Sequence, residues 1–331
     1  MTVGISSDVL VLDLAREADR IGAEMRRIVG AECKRKGVVV ALSGGIDSSC
    51  VAALSVRALG KERVHGLHMP ERDSSPETIS LSKSISDTFG FESSVEILTP
   101  ILEGLRCYER RDEAIRWMFP DFAPERDPRW KSKIVLGGVG EGYNVYSLVV
   151  QTPSGEIRKA RLTPKAYMQI VAATNFKQRT RKMLEYYHAD RLHFAVTGTP
   201  NRLEYDQGFF VKTGDGSADV KPIAHLYKTQ VYAMAKFLGV PAAICARPPT
   251  TDTYSLAQGQ DEFYFALPYD KMDLCLWGKN NGAPPSEVAP AVGITADEVA
   301  WVYKDIDKKR ATTRYMHLPP QLCVDVPEVG H

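Results

Sequence analysis

The apolar positions along the first hundred residues switch between helical and strand-like spacing. Between residues 8 and 34 apolar residues recur at roughly helical intervals among charged ones, which predicts an amphipathic helix. Residues 38–42, VVVAL, form a wholly apolar run typical of a central parallel strand covered on both faces. Helix 48–59, strand 64–69, helix 74–90 and strand 93–98 are predicted next. This alternation predicts an α/β fold with a doubly wound, mostly parallel sheet and helices on both faces.

The alternation of strand and helix patterns stops at residues 111–163, which we interpret as an insertion. Alternating residues at 143–150, a Pro-Ser-Gly turn and residues 155–162 predict a β-hairpin subdomain inside it. The α/β pattern then returns with helix 164–188, strand 193–197 and helix 228–238, the first of these beginning at a proline. We therefore expect a single domain over 1–331 with this insertion and a proline-rich C-terminal tail at 313–331.

Composition narrows the function classes. The 331 residues are 44% hydrophobic, enough for a full core, and the net charge of +1 disfavours a nucleic-acid binder. No apolar run approaches the ~18 residues of a membrane helix, and the N-terminus lacks the basic region of a signal peptide. The six cysteines have no paired spacing, which favours reduced thiols. We expect a cytoplasmic protein that binds neither nucleic acid nor membrane.

The segment SGGIDSS, residues 43–49, lies between the first predicted strand and the next helix. Adjacent glycines permit positive φ and close ligand approach, and successive N–H groups at a helix N-terminus favour a phosphate or pyrophosphate. The loop has no lysine, which excludes a Walker A motif. Asp47 would repel phosphates unless a cation lay between them, so it implies Mg²⁺. The simpler alternative is a turn capped by Asp47 or Ser48.

This segment resembles the pyrophosphate-binding loop of the N-type ATP pyrophosphatases, whose fold is adenine nucleotide alpha hydrolase-like. Such enzymes split ATP into AMP and pyrophosphate, typically while adenylating a carboxylate or carbonyl oxygen. The loop does not choose among members, because NAD synthetases, GMP synthetases, asparagine synthetases, argininosuccinate synthetases and tRNA thiolases share versions of it.

A second block, residues 196–230, separates these members. Glu204 and Asp215 lie on polar segments beyond a strand end, where α/β sheets bind ligands, and Lys228 opens a helix. Taken singly, each could be an ordinary surface charge. Together, GTPNRLE at 198–204, GFFVKTGDGSAD at 208–219 and the Lys-Thr pair at 228–229 resemble the NAD synthetase family. NFKQRTR at 175–181 and RPPT at 247–250 extend the likeness.

The resemblance implies ATP-dependent amidation of a carboxylate by ammonia through an acyl-adenylate, with nicotinate adenine dinucleotide as the default acid. It implies four groups of site residues: for ATP, Ser43, Gly44, Gly45, Asp47, Ser48, Ser49, Met69, Arg179, Thr199, Lys228 and Thr250; for Mg²⁺, Asp47 and Glu204; for the acid, Lys212, Asp215, Asp219 and Lys309; for catalysis, Asp47, Lys228 and Asp215. It also implies a homodimer.

Nitrogen supply and substrate stay open at this point. No glutaminase domain with a cysteine nucleophile is visible, so free ammonia or a separate glutaminase would supply nitrogen. Thr213 stands where the family has tyrosine and Lys308 where it has histidine, which leaves open a paralogue that amidates a different acid. The alternatives are another ATP pyrophosphatase, such as a tRNA thiolase, and a non-catalytic nucleotide-binding protein.

Overall fold

The fold is described by a computed structural model over residues 5–75, 77–136, 146–248, 254–256, 259, 264–265 and 267–328. The strands, in chain order, are β1 (Val38–Ala41), β2 (Val64–His68), β3 (Glu92–Val95), β4 (Lys131–Leu136), β5 (Tyr146–Gln151), β6 (Ile157–Arg161) and β7 (Ala195–Val196). The α-helices are α1 (Leu14–Arg27), α2 (Ile46–Leu59), α3 (Glu77–Phe89), α4 (Thr99–Gly104), α5 (Cys107–Arg116), α6 (Pro164–Leu192), α7 (Arg202–Gln207), α8 (Lys228–Phe237), α9 (Ala242–Ala246), α10 (Tyr269–Asn280), α11 (Pro285–Val292) and α12 (Ala296–His317).

The central sheet is parallel and has the strand order β3-β2-β1-β7. The chain moves outward from β1 through β2 to β3, and then returns to place β7 on the other side of β1. The carboxyl ends of β1 and β7 therefore flank the point where the strand order reverses. Open α/β sheets bind ligands in the crevice at that point.

Alternate side chains of β1 enter two different cores. Val38 and Val40 pack with α1, α2 and α8, whereas Val39 packs on the opposite face with α4, α5 and α6. All three valines are fully buried, which explains why the strand reads as an unbroken apolar run rather than an alternating one. The prediction of a doubly wound parallel sheet with helices on both faces is confirmed.

A second sheet is antiparallel, with the order β4-β5-β6. The predicted hairpin is β5 and β6, joined by a turn in which Gly155 has a φ of +89° and its N–H donates to the Thr152 carbonyl. Residues 143–145 of the predicted alternation lie outside the described residues. Strand β4 was not predicted. Its apolar residue Ile134 packs with Leu148 of β5 and with α5 and α6.

Several predicted boundaries are wrong: the strand predicted over 93–98 is Glu92–Val95, and the helix predicted over 164–188 continues to Leu192. Two further differences have local reasons. The helix predicted over 8–34 begins at Leu14, because the Asp13 side chain accepts the Arg16 N–H and caps a new helix there. The strand predicted over 193–197 is shorter, because His193 is left-handed at φ +57° and ends α6. The start of α6 is confirmed, with Thr163 as its N-cap and Pro164 in its first turn.

The C-terminal third forms a helical layer of α10, α11 and α12 around its own apolar cluster. Helix α12 continues to His317, so the first residues of the predicted 313–331 tail are helical. Within the described ranges, no helix is long and apolar enough to cross a lipid bilayer.

Candidate active site

One cavity of about 730 Å³ opens at the carboxyl ends of β1, β2 and β7, between α6 and α12. Twelve of the predicted site residues line it: Ser43, Gly45, Asp47, Ser48, Met69, Arg179, Thr199, Glu204, Lys212, Asp215, Lys228 and Lys309. Gly44, Ser49 and Asp219 are described residues that do not line it, and Thr250 lies outside the described residues. Two blocks more than a hundred positions apart therefore meet in one site.

The turn from β1 to α2 depends on Gly44. Its φ is +70°, and a Cβ built there would lie 3.0 Å from the Thr78 carbonyl oxygen and 3.1 Å from the Leu81 Cβ of α3. Gly45 differs, because its φ of −90° is ordinary extended backbone and it serves as the N-cap of α2. Of the two adjacent glycines that permit positive φ, only Gly44 adopts it.

The hydroxyls of this turn hold the loop in shape. The Gly45 N–H donates to Ser43 Oγ at 3.2 Å, and the Ser43 and Ser48 hydroxyls are 3.1 Å apart. Ser49 is buried and donates to the Gly45 carbonyl at 2.8 Å, so its hydroxyl supports the helix start. Since Gly45 offers no side-chain cap, the first N–H groups of α2 are available to an anion.

Gly44→Ala is expected to raise the KM for ATP at least about tenfold. The added Cβ meets the backbone of α3, and a left-handed non-glycine residue costs about 1–2 kcal/mol. Steady-state kinetics with varied ATP measure the effect. Gly155→Ala is the matched control, because Gly155 also has positive φ but a Cβ there meets nothing within 4 Å. An unchanged KM in Gly44→Ala would show that the loop tolerates a side chain.

Asp47, Lys228 and Glu204 form the charged centre of the cavity. The Lys228 ammonium donates to the Asp47 carboxylate, and the Asn201 amide donates to Asp47 Oδ1 at 3.1 Å. Burial and the neighbouring Asp47 carboxylate raise the pKa of Glu204 to about 8. Burial lowers the pKa of Lys228, but Asp47 and Glu204 outweigh it and leave that pKa above its ordinary value. The Asp47 and Glu204 carboxylates thus both interact electrostatically with the Lys228 ammonium.

Short-range contacts fix these three groups in place. Glu204 belongs to a capping box at the start of α7, in which Asn201 Oδ1 accepts the Glu204 N–H and Glu204 Oε2 accepts the Asn201 N–H. Asp273 of α10 accepts the backbone N–H groups of Lys228 and Thr229 at 3.2 and 2.7 Å. Asp273 was not predicted as a site residue, although a carboxylate between the apolar residues Met272 and Leu274 is a signal that could have identified it.

This donor set fits Mg²⁺ held jointly with phosphate oxygens. Among the described residues, no three His, Cys, Asp or Glu side chains converge as metal ligands. Mg²⁺ often binds through one or two carboxylates together with substrate phosphates, and Asp47 and Glu204 supply two such carboxylates beside the phosphate loop. The fit is therefore to a metal that arrives with the nucleotide.

A second charged cluster joins the predicted Asp215 to Lys182 and Glu185, two residues that the sequence analysis missed. Lys182 donates to Glu185 Oε2 at 2.6 Å, and both side chains are buried in the cavity wall. Asp215 lies near this pair, and its carboxylate accepts the Val211 N–H at 2.7 Å. Burial raises the pKa of Asp215, with Val211 N–H and Lys182 opposing the rise. The Lys182 ammonium thus lies near two carboxylates, those of Glu185 and Asp215.

The remaining predicted residues have structural partners. Lys212 donates to the carbonyls of Tyr315 and Leu318, and the Arg179 Nε donates to the Lys212 carbonyl at 3.4 Å. Lys309 donates to the Tyr264 carbonyl and pairs with Asp305 at 2.6 Å. The structure turns Asp219 away from the cavity: its carboxylate accepts the Val196 N–H at 2.7 Å and the Tyr186 hydroxyl at 3.2 Å.

The loop after β2 borders the cavity and is anchored by buried charges. Lys177 of α6 donates to Glu71 Oε1 and Asp73 Oδ2, both at 2.8 Å. Arg111 of α5 donates to the same Asp73 oxygen at 2.6 Å, and the Tyr108 hydroxyl donates to Glu71 Oε2 at 2.7 Å. These contacts hold the segment that follows Met69.

The elements that carry the glycine-serine turn, the two acids and the lysine lie inside two ranges of the chain that match a family model. The family model for NAD synthase matches residues 19–116 and 145–315, which together make up most of the chain. The chain belongs to the NAD synthase family. The segment between the two matched parts, 117–144, lies within the 111–163 region interpreted as an insertion.

Individual relatives agree with the family assignment. An NH(3)-dependent NAD(+) synthetase of Rhizobium meliloti (strain 1021) is 57% identical over 326 residues, which cover 98% of this chain and 96% of the relative. An NMN synthetase from Francisella tularensis has a TM-score of 0.63 at 19% identity, covering 94% of this chain and all of that one. An NH3-dependent NAD synthetase from Campylobacter jejuni has a TM-score of 0.60 at 20% identity, and the match covers 95% of this chain and 100% of that one. The two solved structures establish the fold of this NAD synthase family member.

Proposed function

We propose that this chain is a ligase that amidates nicotinate adenine dinucleotide with ammonia, at the expense of ATP, to give NAD, AMP and pyrophosphate. The observation that carries the proposal is the 57% identity to an NH(3)-dependent NAD(+) synthetase over 98% of the chain. The cavity adds support, because its phosphate loop and the Asp47–Lys228–Glu204 centre suit a reaction at the α-phosphorus of ATP.

The first step is attack of the substrate carboxylate on the α-phosphorus, which forms an acyl-adenylate and releases pyrophosphate. Ser43, Gly45 and Ser48, with the first N–H groups of α2, would hold the pyrophosphate. Lys228 would place its positive charge where the phosphate oxygens gather. Mg²⁺, held by Asp47 and Glu204 together with the nucleotide, would neutralise phosphate charge. The protein's contribution is therefore positioning and charge compensation.

In the second step ammonia attacks the acyl carbon and AMP leaves. Asp215 is a half-buried carboxylate of the cavity wall whose raised pKa suits it to accept a proton from the attacking nitrogen. Lys182 and Glu185 would hold that carboxylate in place through their own ion pair. Lys212 and Lys309, which also line the cavity, would lie along the acid substrate. A homodimer remains a prediction from the family resemblance, and a cytoplasmic location remains a prediction from the sequence composition.

The thiolase alternative fits this chain poorly. A tRNA thiolase needs reactive cysteines near the phosphate loop, and Cys50 is the cysteine that lies there, in the second turn of α2. That residue is fully buried, and burial raises the pKa of its thiol far above the ordinary value. A thiol in this state is a poor nucleophile.

The test is product formation by the full chain with ATP, Mg²⁺ and ammonium chloride against a panel of carboxylic acids. The proposal expects AMP, pyrophosphate and amide in equal amounts with nicotinate adenine dinucleotide, and no amide when ammonium is omitted. A non-catalytic nucleotide binder would release no pyrophosphate. A kcat/KM that is higher for another acid would favour the paralogue and contradict the proposed substrate.

A further inference from the structure

The antiparallel sheet has one covered edge and one open edge. Strand β4 is covered, since the Leu256 N–H donates to the Ser132 carbonyl at 3.1 Å and Ser255 Oγ accepts the Ser132 N–H at 3.0 Å. Among the described residues, β6 at the opposite edge pairs only with β5. An open strand edge offers a row of backbone N–H and C=O groups to another extended segment.

The ladder register identifies the groups of β6 that face the open edge. The Leu162 N–H donates to the Tyr146 carbonyl at 2.9 Å, and bonded pairs alternate with non-bonded pairs in an antiparallel ladder. The backbone groups of Ile157, Lys159 and Arg161 therefore point away from β5. All three residues are exposed, and within the described ranges they make no hydrogen bond or ion pair with another segment.

The two faces of this edge differ in chemistry. Strands β4, β5 and β6 contain five lysine or arginine residues and no acidic residue. Lys159 and Arg161 lie on the exposed face, whereas Ala160 and Leu162 pack with the apolar cluster on the other face. Two edges of this kind would repel each other. An acidic extended segment that is apolar on its second face is complementary to this edge.

The C-terminal tail has that complementary pattern. In residues 321–326, QLCVDV, every second residue is apolar, and Asp325 lies on the other side of an extended chain. The apolar side chains are exposed, that of Val324 by 79%, and the described backbone of this segment makes no hydrogen bond. Pro320 and Pro327 bound it, and proline delimits a strand because it donates no N–H.

We propose that residues 321–326 of one copy of this chain add to β6 of a second copy as a further strand. Asp325 lies beside Lys159 and Arg161 on the exposed face, and the leucine and two valines extend the apolar cluster beneath β6. The occupant is a second copy, because the chain's own tail is exposed and does not pair with β6.

Reciprocal exchange of the two tails gives a contact with two-fold symmetry. Neither the tail segment nor the exposed residues of β6 line the catalytic cavity, so the test of this contact does not depend on the proposed function.

Carbodiimide coupling tests the contact in an equal mixture of ¹⁴N-labelled and ¹⁵N-labelled full-length chains. The reagent joins an ammonium to an adjacent carboxylate, and mass spectrometry is expected to find Lys159 linked to Asp325 between chains of different isotope. Lys131 is the internal control, because it lies on the same face at the covered edge and is expected to form no link to the tail. Absence of the Lys159–Asp325 link, or a link found only within one isotope, would overturn the proposal.

Residue-resolved hydrogen exchange measures the backbone pairing. The N–H groups of Ile157, Lys159 and Arg161 are expected to exchange at least about tenfold more slowly in wild type than in Asp325→Lys, which places like charges together. Combining Asp325→Lys with Lys159→Glu restores an opposite-charge pair and is expected to recover most of the protection.

Lys131→Glu is the matched control for Lys159→Glu and is expected to leave exchange at β6 within about twofold of wild type. The substituted side chains are all exposed, so the melting temperature is expected to stay unchanged. Equal exchange in wild type and Asp325→Lys, or no recovery in the charge-reversed pair, would overturn the proposal.

Discussion

Asp47→Asn is expected to lower the rate of AMP formation by about 10²–10³-fold while the protein stays folded. The substitution keeps the size of the side chain but removes a carboxylate that contacts Lys228 and lies beside Glu204. Removal of one preorganised electrostatic group at a reacting centre typically has an effect of this size. Single-turnover AMP formation at saturating Mg²⁺ and ATP measures the chemical step, and the melting temperature reports the fold.

Asp19→Asn is the matched control for this prediction. Asp19 makes an exposed ion pair with Arg57 at 2.8 Å, outside the cavity lining, so the same chemical change is expected to leave the rate unaltered. A near-normal rate in Asp47→Asn would remove this carboxylate from the mechanism. A loss in both variants would point to a general effect of lowered negative charge.

Lys177→Met is expected to reduce the free energy of unfolding by about 3–5 kcal/mol at neutral pH. Lys177 is buried with Glu71 and Asp73, and loss of one partner from a buried ion pair leaves uncompensated charge. Burial raises the pKa of Asp73, but Arg111 and Lys177 outweigh it and hold that pKa below its usual range. The stabilisation is therefore present above the unfolded pKa of ~3.9 and fades as the pH falls below it.

Urea unfolding at pH 7 and at pH 3 measures this effect, with the difference between variant and wild type expected to shrink at the lower pH. Lys279→Met is the control, since the partner of Lys279 is the exposed Asp307, and such surface pairs contribute about 0–1 kcal/mol. A loss in Lys177→Met no larger than in the control would show that the cluster does not depend on this lysine.

Local sequence signals predicted most of the strands in the two sheets and several of the helices. The apolar run at β1, the proline that starts α6 and the turn containing Gly155 each act within a few residues, so spacing alone identified them. Strand β4, with the sequence KSKIVL, was missed because it is stabilised by pairing with β5, in which Ile134 lies opposite Leu148. Pairing between distant segments has no signature in local periodicity.

Site residues that belong to a sequence motif were predicted. Site residues whose role depends on contacts between distant segments of the chain were missed. Asp47, Glu204 and Lys228 belong to recognisable blocks, and all three line the same cavity. Asp273 acts through backbone groups 44 and 45 positions away, and Lys177 contacts acids more than a hundred positions away. Asp219, chosen for its motif, stabilises β7 instead. A motif identifies residue types but does not say which of them face the ligand.

The central claim, that a substrate carboxylate attacks the α-phosphorus of ATP at the Asp47–Lys228–Glu204 centre, is tested most directly with an acid labelled with ¹⁸O in its carboxylate. When ammonia displaces AMP, the bridging oxygen stays with the phosphate. Mass spectrometry is predicted to find one ¹⁸O atom per AMP and none in pyrophosphate. Unlabelled AMP, or label in the pyrophosphate, would contradict the acyl-adenylate and the role assigned to this site.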